Sequence, residues 1–315
     1  MGTEREIKTV DVIIPTYRPG DKLEELLRRL LKQSCPLQRV IILNTEEQYW
    51  NEERFESLFD GSKTKLTVRH LTREEFDHGA TRDLGMLVSD AEICICMTHD
   101  CIPRDRDLII YLTAPFAESS EVAVSYARQL PAADCGLIER YTRQFNYPQE
   151  SLLKGQQDLK TLGIKTYFCS NVCAAYKREL YFELGGFTKK TIFNEDMIFA
   201  AAAVKAGYLI AYAADAKVIH SHNYTALQQL RRNFDLAVSQ ADHPEVFDGL
   251  SSEGEGIRLV KKTANYLWQS GHGLLLPELV LKSGFKYLGY LLGRHYRLLP
   301  LCMVRWMTMN RAYWK

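Results

Sequence analysis

An α/β fold with a mostly parallel central sheet, flanking helices and a C-terminal helical extension is the architecture this sequence predicts. Three observations carry it. Short apolar, β-branched runs recur through the first hundred residues. Segments with helical spacing fall between several of them, the alternation of a parallel sheet covered on both faces. Beyond Glu278 the chain has no Asp or Glu and turns basic and aromatic, a pattern of another kind.

Residues 10–14 form a β-branched run broken only by Asp11, ending at Pro15 with a turn over 16–20. Residues 21–33 place leucines at 23, 26, 27, 30 and 31, one helical face, with Asp21 as the expected N-cap. Residues 39–43 and 65–70 read as the second and third strands. A helix from about 80 to 89 leads into a fourth strand, 92–98, which ends on His99-Asp100. The stretch 122–176 is less regular, although 165–176 reads as a buried strand. Gly185-Gly186-Phe187 is a tight turn, 194–206 a helix, and 208–213 and 217–220 two further short strands. Ligands of such sheets sit beyond the carboxyl ends of the strands. Thr16, Asn44 and Asp100 are therefore expected to converge on one crevice.

The organisation expected is a domain over 1–225, divided at about residue 100, followed by a helical extension over 226–315. Composition excludes little else. With 46% hydrophobic and 25% charged residues and a net charge of +1, the chain is ordinary globular protein with no bulk reason to bind nucleic acid. The first apolar run is too short for a secretory core and follows the mixed-charge residues 4–8. The eight cysteines match neither zinc spacings nor a disulfide scaffold, so packing roles in a reducing, cytoplasmic compartment are expected. The tail carries Lys282, Lys286, Arg294, Arg297, Arg305, Arg311 and Lys315 among aromatics such as Tyr287, Trp306 and Trp314. Its uncharged stretches are far below the roughly 20 residues of a spanning helix. It reads either as a membrane-surface segment or as a helical cap on the preceding domain.

Four segments can carry chemistry, and each has a plain structural alternative. Asp100 ends a strand, where a carboxylate holds Mg²⁺ or Mn²⁺ or simply forms a turn before Pro103, with Asp105 and Asp107 nearby. Asn194-Glu195-Asp196 opens a helix, where acidic residues suit the dipole and unpaired amides in any case; the functional reading makes Asp196 a general base for an acceptor hydroxyl. In His220-Ser221-His222 a single imidazole is better placed to reach a metal than both together. The loop of Asp77 to Asp83 offers Gly79 for close backbone approach and Arg82 for a phosphate or base, or else a surface pair.

Taken in order, these pieces resemble the family-two glycosyltransferases of the GT-A type, over about residues 8–225. The opening strand Val12-Ile13-Ile14-Pro15-Thr16-Tyr17, the segment from Asp77 to Gly85, Asp100 as the last position of an Asp-x-Asp, Leu184-Gly185-Gly186-Phe187, Glu195-Asp196 and Ala216-x-Val218-x-His220 carry it. Phe76-Asp77-His78-Gly79, Thr98-His99-Asp100, Arg128-Gln129-Leu130-Pro131, Phe145-Asn146-Tyr147-Pro148, Ser170-Asn171-Val172 and His220-Ser221-His222-Asn223-Tyr224 are similar to the signatures of its rhamnosyltransferase-like branch. Two departures stand out. Thr98 replaces the first Asp of Asp-x-Asp, and Leu43-Asn44-Thr45-Glu46 stands where an Asp-rich turn is usual.

The resemblance implies an inverting hexosyltransferase, dependent on Mg²⁺ or Mn²⁺ and active in polysaccharide biosynthesis at the inner face of the plasma membrane. It implies a donor site of Pro15, Thr16, Tyr17, Asn44, Glu46, Arg82, His99 and Asp100, and an acceptor side of Gly185, Gly186, Phe187 and Glu195. Asp100 and His220 would hold the metal, and Asp196 would be the catalytic base. The implied partners are a nucleotide-diphosphate sugar (dTDP-L-rhamnose first, a UDP-sugar otherwise) and a glycan or lipid-linked acceptor. A non-catalytic nucleotide- or saccharide-binding module and a nucleotidylyltransferase are the alternatives of other classes.

Overall fold

The computed structural model describes residues 9–250 and 253–314. The charged residues 4–8 and the terminal Lys315 of the basic tail lie outside them. The described residues group into two compact units. One comprises 9–130, 147–190 and 195–220; the other comprises 131–146, 191–194 and the chain from Ser221 onward.

All nine strands found among the described residues belong to the first unit: β1 (Val10–Tyr17), β2 (Arg39–Thr45), β3 (Lys65–Leu71), β4 (Ile93–Met97), β5 (Ile102–Pro103), β6 (Val122–Leu130), β7 (Leu152–Lys154), β8 (Cys173–Lys177) and β9 (Leu209–Ile219). They form one sheet in the order β3-β2-β1-β4-β8-β6-β9-β5, with β7 paired to β9. The half built from β1 to β4 is wholly parallel. Beyond it, β8 runs against both β4 and β6, while β6 and β9 are again parallel. The helices of this unit before residue 130 are α1 (Asp21–Leu30), α2 (Glu52–Glu56), α3 (His78–Val88) and α4 (Leu108–Glu118).

The local chemistry explains where the elements end. Leu23, Leu26, Leu27 and Leu30 of α1 are buried in the main core with Val12, Ile14, Val40 and Ile42 of the sheet. Each such leucine is worth about 1.5–3 kcal/mol of burial. Gly20, not Asp21, is the N-cap of α1; the Asp21 carboxylate instead pairs with Arg54. The third helix starts earlier than its apolar spacing suggests because the Asp77 carboxylate accepts from the Gly79 and Ala80 amides, at 3.0 and 2.7 Å.

Two strand expectations are corrected. Residues 165–176 are not one strand: a 3₁₀ turn over Gly163–Tyr167 and a loop precede β8. The Lys154 ammonium takes the Lys165 and Phe168 carbonyls, at 3.0 and 2.5 Å, drawing them away from a ladder. Conversely, the two short strands after residue 207 are one strand, β9. Its pairing with β6 slips between Ala213 and Lys217, and there the Ala214 amide donates to Ser151 Oγ.

In the second unit lie α5 (Leu137–Asn146), and, after α6 (Leu159–Leu162), α7 (Arg178–Glu183) and α8 (Glu195–Lys205) of the first unit, the run α9 (Ala226–Asp242), α10 (Pro244–Phe247), α11 (Glu253–Gln269), α12 (Leu276–Arg294) and α13 (Leu301–Met307). Thr225 and Gln228 form a capping box that starts α9. Gly289 and Gly293 let α12 lie against α9, since a Cβ at either would fall within 2.4 Å of the Leu230 or Phe234 carbonyl oxygen. Six of the eight cysteines are buried and all are free, as packing roles require; Cys302 on α13 is the exposed one.

Candidate active site

Three parallel strands end in a row. Register sets Thr16, Asn44 and His70 side by side across β1, β2 and β3. Thr16 Oγ1 donates to Asn44 Oδ1 at 3.1 Å, and Asn44 Nδ2 reaches both the Glu46 carbonyl and His70 Nδ1, each at 3.1 Å. Asn44 is fully buried and its amide is used up by these neighbours. It shapes the crevice floor and is not available to a nucleotide in this conformation, a correction to its expected donor contact. Glu46, at φ +67°, accepts from the Arg73 amide at 2.8 Å. Above the row, Tyr17 is partly exposed, edge-on to Tyr49 at 5.6 Å, and the Arg18 guanidinium lies over both rings. Arg18 and Tyr49 were not legible as site residues because their partner depends on β1 and β2 ending together.

Asp100 leaves the same edge, because β4 pairs with β1. The neighbouring His99 ring donates to the Pro15 carbonyl, and burial pushes its pKa down. Antiparallel pairing of β5 with the end of β9 then brings Asp100 against a residue 120 positions later: His220 Nε2 lies 3.6 Å from Asp100 Oδ1. The Nδ1 of His220 meets Gln129 Oε1 at 3.0 Å, and Gln129 Nε2 donates to Ser170 Oγ at 3.0 Å. An amide oxygen only accepts, so Nδ1 carries a proton and Nε2 is the nitrogen left facing Asp100. One carboxylate oxygen and one imidazole nitrogen facing each other, with the ring fixed from behind, fit a divalent cation such as Mn²⁺ or Mg²⁺.

The acid pair opens α8. Glu195 and Arg82 bury a salt bridge at 3.1 Å, each side chain 7% exposed. Arg82 also donates to the His78 carbonyl at 2.9 Å. Asn171 Nδ2 donates to the same Glu195 oxygen at 3.1 Å. Burial pushes Glu195 upward, but the charges of Arg82 and His78 and the Asn171 bond outweigh it and hold it below the usual carboxylate value. Asp196 is the opposite case. Burial and then the Glu195 charge raise its pKa to about 7, against the Asn171 and Met197 amides that donate to it at 2.9 and 2.8 Å. Adjacent carboxylates with environments that push them apart are what divides an ion-pairing residue from a base.

The Gly185-Gly186-Phe187 turn sits against α3. Gly186, at φ +72°, passes so close to Asp83 that a Cβ would lie 2.9 Å from its carboxylate oxygen. Tyr181 OH donates to Asp83 Oδ1 at 2.8 Å and accepts from the Phe187 amide at the same distance. Phe187, expected on the acceptor side, is buried among Tyr176, Tyr181 and Phe199. Its ring is a core element, which corrects an expected contact. Glu195, expected there too, is turned toward Arg82.

A sheet with one parallel half, an aspartate–histidine pair at the end of β9 and a buried acid pair opening α8 is the arrangement of a GT-A-type transferase. Solved structures share the fold. Mannosyltransferase PcManGT from Pyrobaculum calidifontis in complex with GDP-Man and Mn²⁺ has a TM-score of 0.57 at 16% identity, covering 98% of this chain and 88% of that one. S. aureus TarS 1-349 in complex with UDP-GlcNAc gives 0.52 at 15% identity, covering 92% of each. Residues 11–185 match Glycosyl transferase family 2, and the chain belongs to that family. It is 36% identical to the O-antigen chain rhamnosyltransferase RfbN of Salmonella typhimurium over 97% of this chain and 96% of that one. It is 35% identical to the O-antigen chain rhamnosyltransferase WbaN of Salmonella anatum, over 96% and 95%. The protein is thus a glycosyltransferase.

Proposed function

We propose that this enzyme moves L-rhamnose from dTDP-L-rhamnose, with inversion, onto a growing cell-surface polysaccharide of the O-antigen kind held on a lipid-linked acceptor. The rhamnosyl reading rests on near full-length similarity to two rhamnosyltransferases. The inverting mechanism rests on one observation: two backbone amides orient the Asp196 carboxyl beside Glu195, which is paired to Arg82, and burial with the Glu195 charge pushes the Asp196 pKa up to about 7. Asp196 takes the proton of the acceptor hydroxyl as that oxygen attacks the anomeric carbon from the face opposite the leaving diphosphate. At the end of β1 the partly exposed Tyr17 ring is offered to the nucleotide base, while Arg82, buried against Glu195, orders the acid pair. Asp100 and His220 would hold the divalent cation, whose charge offsets that developing on the diphosphate.

Thermal shift against a set of nucleotide sugars tests the donor. Stabilisation by dTDP-rhamnose is the expected result; stabilisation by UDP-sugars alone would move the assignment to a UDP-sugar transferase. Turnover lost to chelator and restored by Mn²⁺ or Mg²⁺ checks the cation separately.

A membrane contact made by the second unit belongs to this proposal. No helix of the described residues is long and apolar enough to cross a membrane. The chain from 221 onward nevertheless holds twelve Lys and Arg against seven Asp and Glu, so cations remain after every acid is paired. On α12 the face opposite Gly289 and Gly293 leaves Val280, Leu281, Tyr287 and Leu288 exposed, and Trp268 and Trp306 stand out elsewhere in the unit. Apolar and tryptophan side chains amid surplus positive charge suit the interface of an anionic bilayer at the cytoplasmic face, where nucleotide sugars are found. Flotation with phosphatidylglycerol vesicles should carry the protein up and phosphatidylcholine vesicles should not. Equal flotation with both, or self-association with no flotation, would overturn this contact.

A further inference from the structure

Outside the metal pair and the base, one buried residue touches more of the site than any role given so far explains. Asn171, 3% exposed, makes three directed bonds. Its backbone amide donates to Asp196 Oδ2 at 2.9 Å and its Nδ2 to Glu195 Oε1 at 3.1 Å, while its Oδ1 accepts from Tyr176 OH at 2.7 Å. The Tyr176 ring is itself immobilised, fully buried and edge-on to Tyr181, Phe187 and Phe199. A phenol that donates to Oδ1 fixes the amide plane, so Nδ2 can only face Glu195. The loop that carries Asn171 is tied down as well. Lys154 holds the Phe168 carbonyl, and Ser170 Oγ receives the Gln129 amide whose other end meets His220.

We propose that Asn171 is a positioning residue that sorts two adjacent carboxylates, clamping Glu195 onto Arg82 so that Asp196 alone is presented as base. The inference rests on the reading of Asp196 above and adds to it the reason that one acid and not its neighbour does the work. Adjacent acids at a helix start can exchange partners by small rotations, and a single guanidinium serves either. With Nδ2 in place, Glu195 has two donors and Arg82 stays with it. Without Nδ2, Arg82 is free to share its charge with Asp196, which would lower the basicity of that carboxylate. The groups that face Asp196 within the first unit are Glu195 on its own helix, Arg82 from α3, the Cys169 thiol and the Tyr176 phenol. Burial keeps those last two neutral at working pH, so Arg82 and Glu195 are the charges that decide.

The test is the pH profile of kcat for Asn171→Ala, which keeps the backbone amide on Asp196 but removes the side chain. Expected are a fall in kcat of roughly 10–100-fold, the usual cost of losing an orienting partner, and a shift of the acid limb to lower pH. Donor KM and Mn²⁺ binding by calorimetry should stay unchanged. Tyr176→Phe, which removes one hydroxyl from an otherwise filled site, should move the limb the same way by less, and covers the case in which Asn171→Ala does not fold. A fall in kcat with an unmoved acid limb in both variants would overturn the sorting role. Asp196→Asn is run beside them: if that variant keeps turnover, the base assignment fails, whatever the Asn171 result. If it is inactive and the limb of Asn171→Ala is unmoved, only the sorting role fails.

Discussion

The two ends of the sheet treat polar side chains in opposite ways. Along β1, β2 and β3, Thr16, Asn44 and His70 bond to each other in strict register. Where β4, β8, β6 and β9 end, carboxylates and their polar partners come from segments far apart in sequence: Asp100, Gln129, Asn171, Glu195 and His220. The first row is a local consequence of parallel pairing and gives a stiff floor. The second stores charge in a buried setting, which costs stability and yields reactivity. Buried charge is therefore concentrated where the sheet stops being parallel.

Substitutions should separate the two ends clearly. Asp196→Asn is expected to lower kcat by about 10²–10⁴-fold with donor binding spared, measured by steady-state kinetics and donor titration. Its stability should move the other way. An Asp whose native pKa is raised holds its proton more tightly folded than unfolded, so native stability falls as pH rises from the ordinary Asp value through about 7. Removing that charge should leave the Tm at pH 8 equal to or above that of the parent, and a large drop would refute the account of a strained carboxylate.

Glu195→Gln should do the reverse, weakening the fold first. It leaves the Arg82 guanidinium buried without its counter-charge, a loss of about 3–5 kcal/mol in such pairs, read by denaturant unfolding. Because the native Glu195 is held low, its contribution is present above the ordinary Glu value and fades as pH falls below it. The difference between parent and variant should therefore shrink in acid.

Gln129→Leu removes the acceptor that fixes His220, and Mn²⁺ affinity measured by calorimetry should fall roughly 10–100-fold. An unchanged affinity would mean that the ring needs no support from behind. The smallest effect is expected from Thr16→Val, which loses one neutral buried bond for about 1 kcal/mol. Its kcat should match the parent. A large kinetic effect there would erase the contrast between the two ends.

Much of the first end was legible before any coordinates. Strands β1 to β3 and the leucine face of α1 follow from hydrophobic period, which needs only near neighbours in sequence. The helix start at Asp77 was within reach too, since a cap acts over three residues. Less was legible at the other end. Residues 165–176 look like a strand by composition, yet Lys154 and Asn171 pull that backbone into a loop. Phe187 looks like part of an acceptor turn, yet its ring fills a core with Tyr176 and Phe199. Asn44 looks like a nucleotide contact, yet it is consumed by Thr16 and His70.

By itself, then, the sequence determined the local things: which runs become strands, which face of a helix is buried, which residue types are present for metal, proton and phosphate chemistry, and in what order. Only the tertiary structure decided which of those residues meet. The Asp100–His220 pair exists because β5 lies against β9, and Glu195 and Asp196 differ because the Arg82 guanidinium and the Asn171 side chain bond Glu195 while Asp196 is held by backbone amides. Partnership between distant residues is set by strand order and register, and two neighbouring acids acquire different affinities for a proton only from the charges and dipoles that folding places around them.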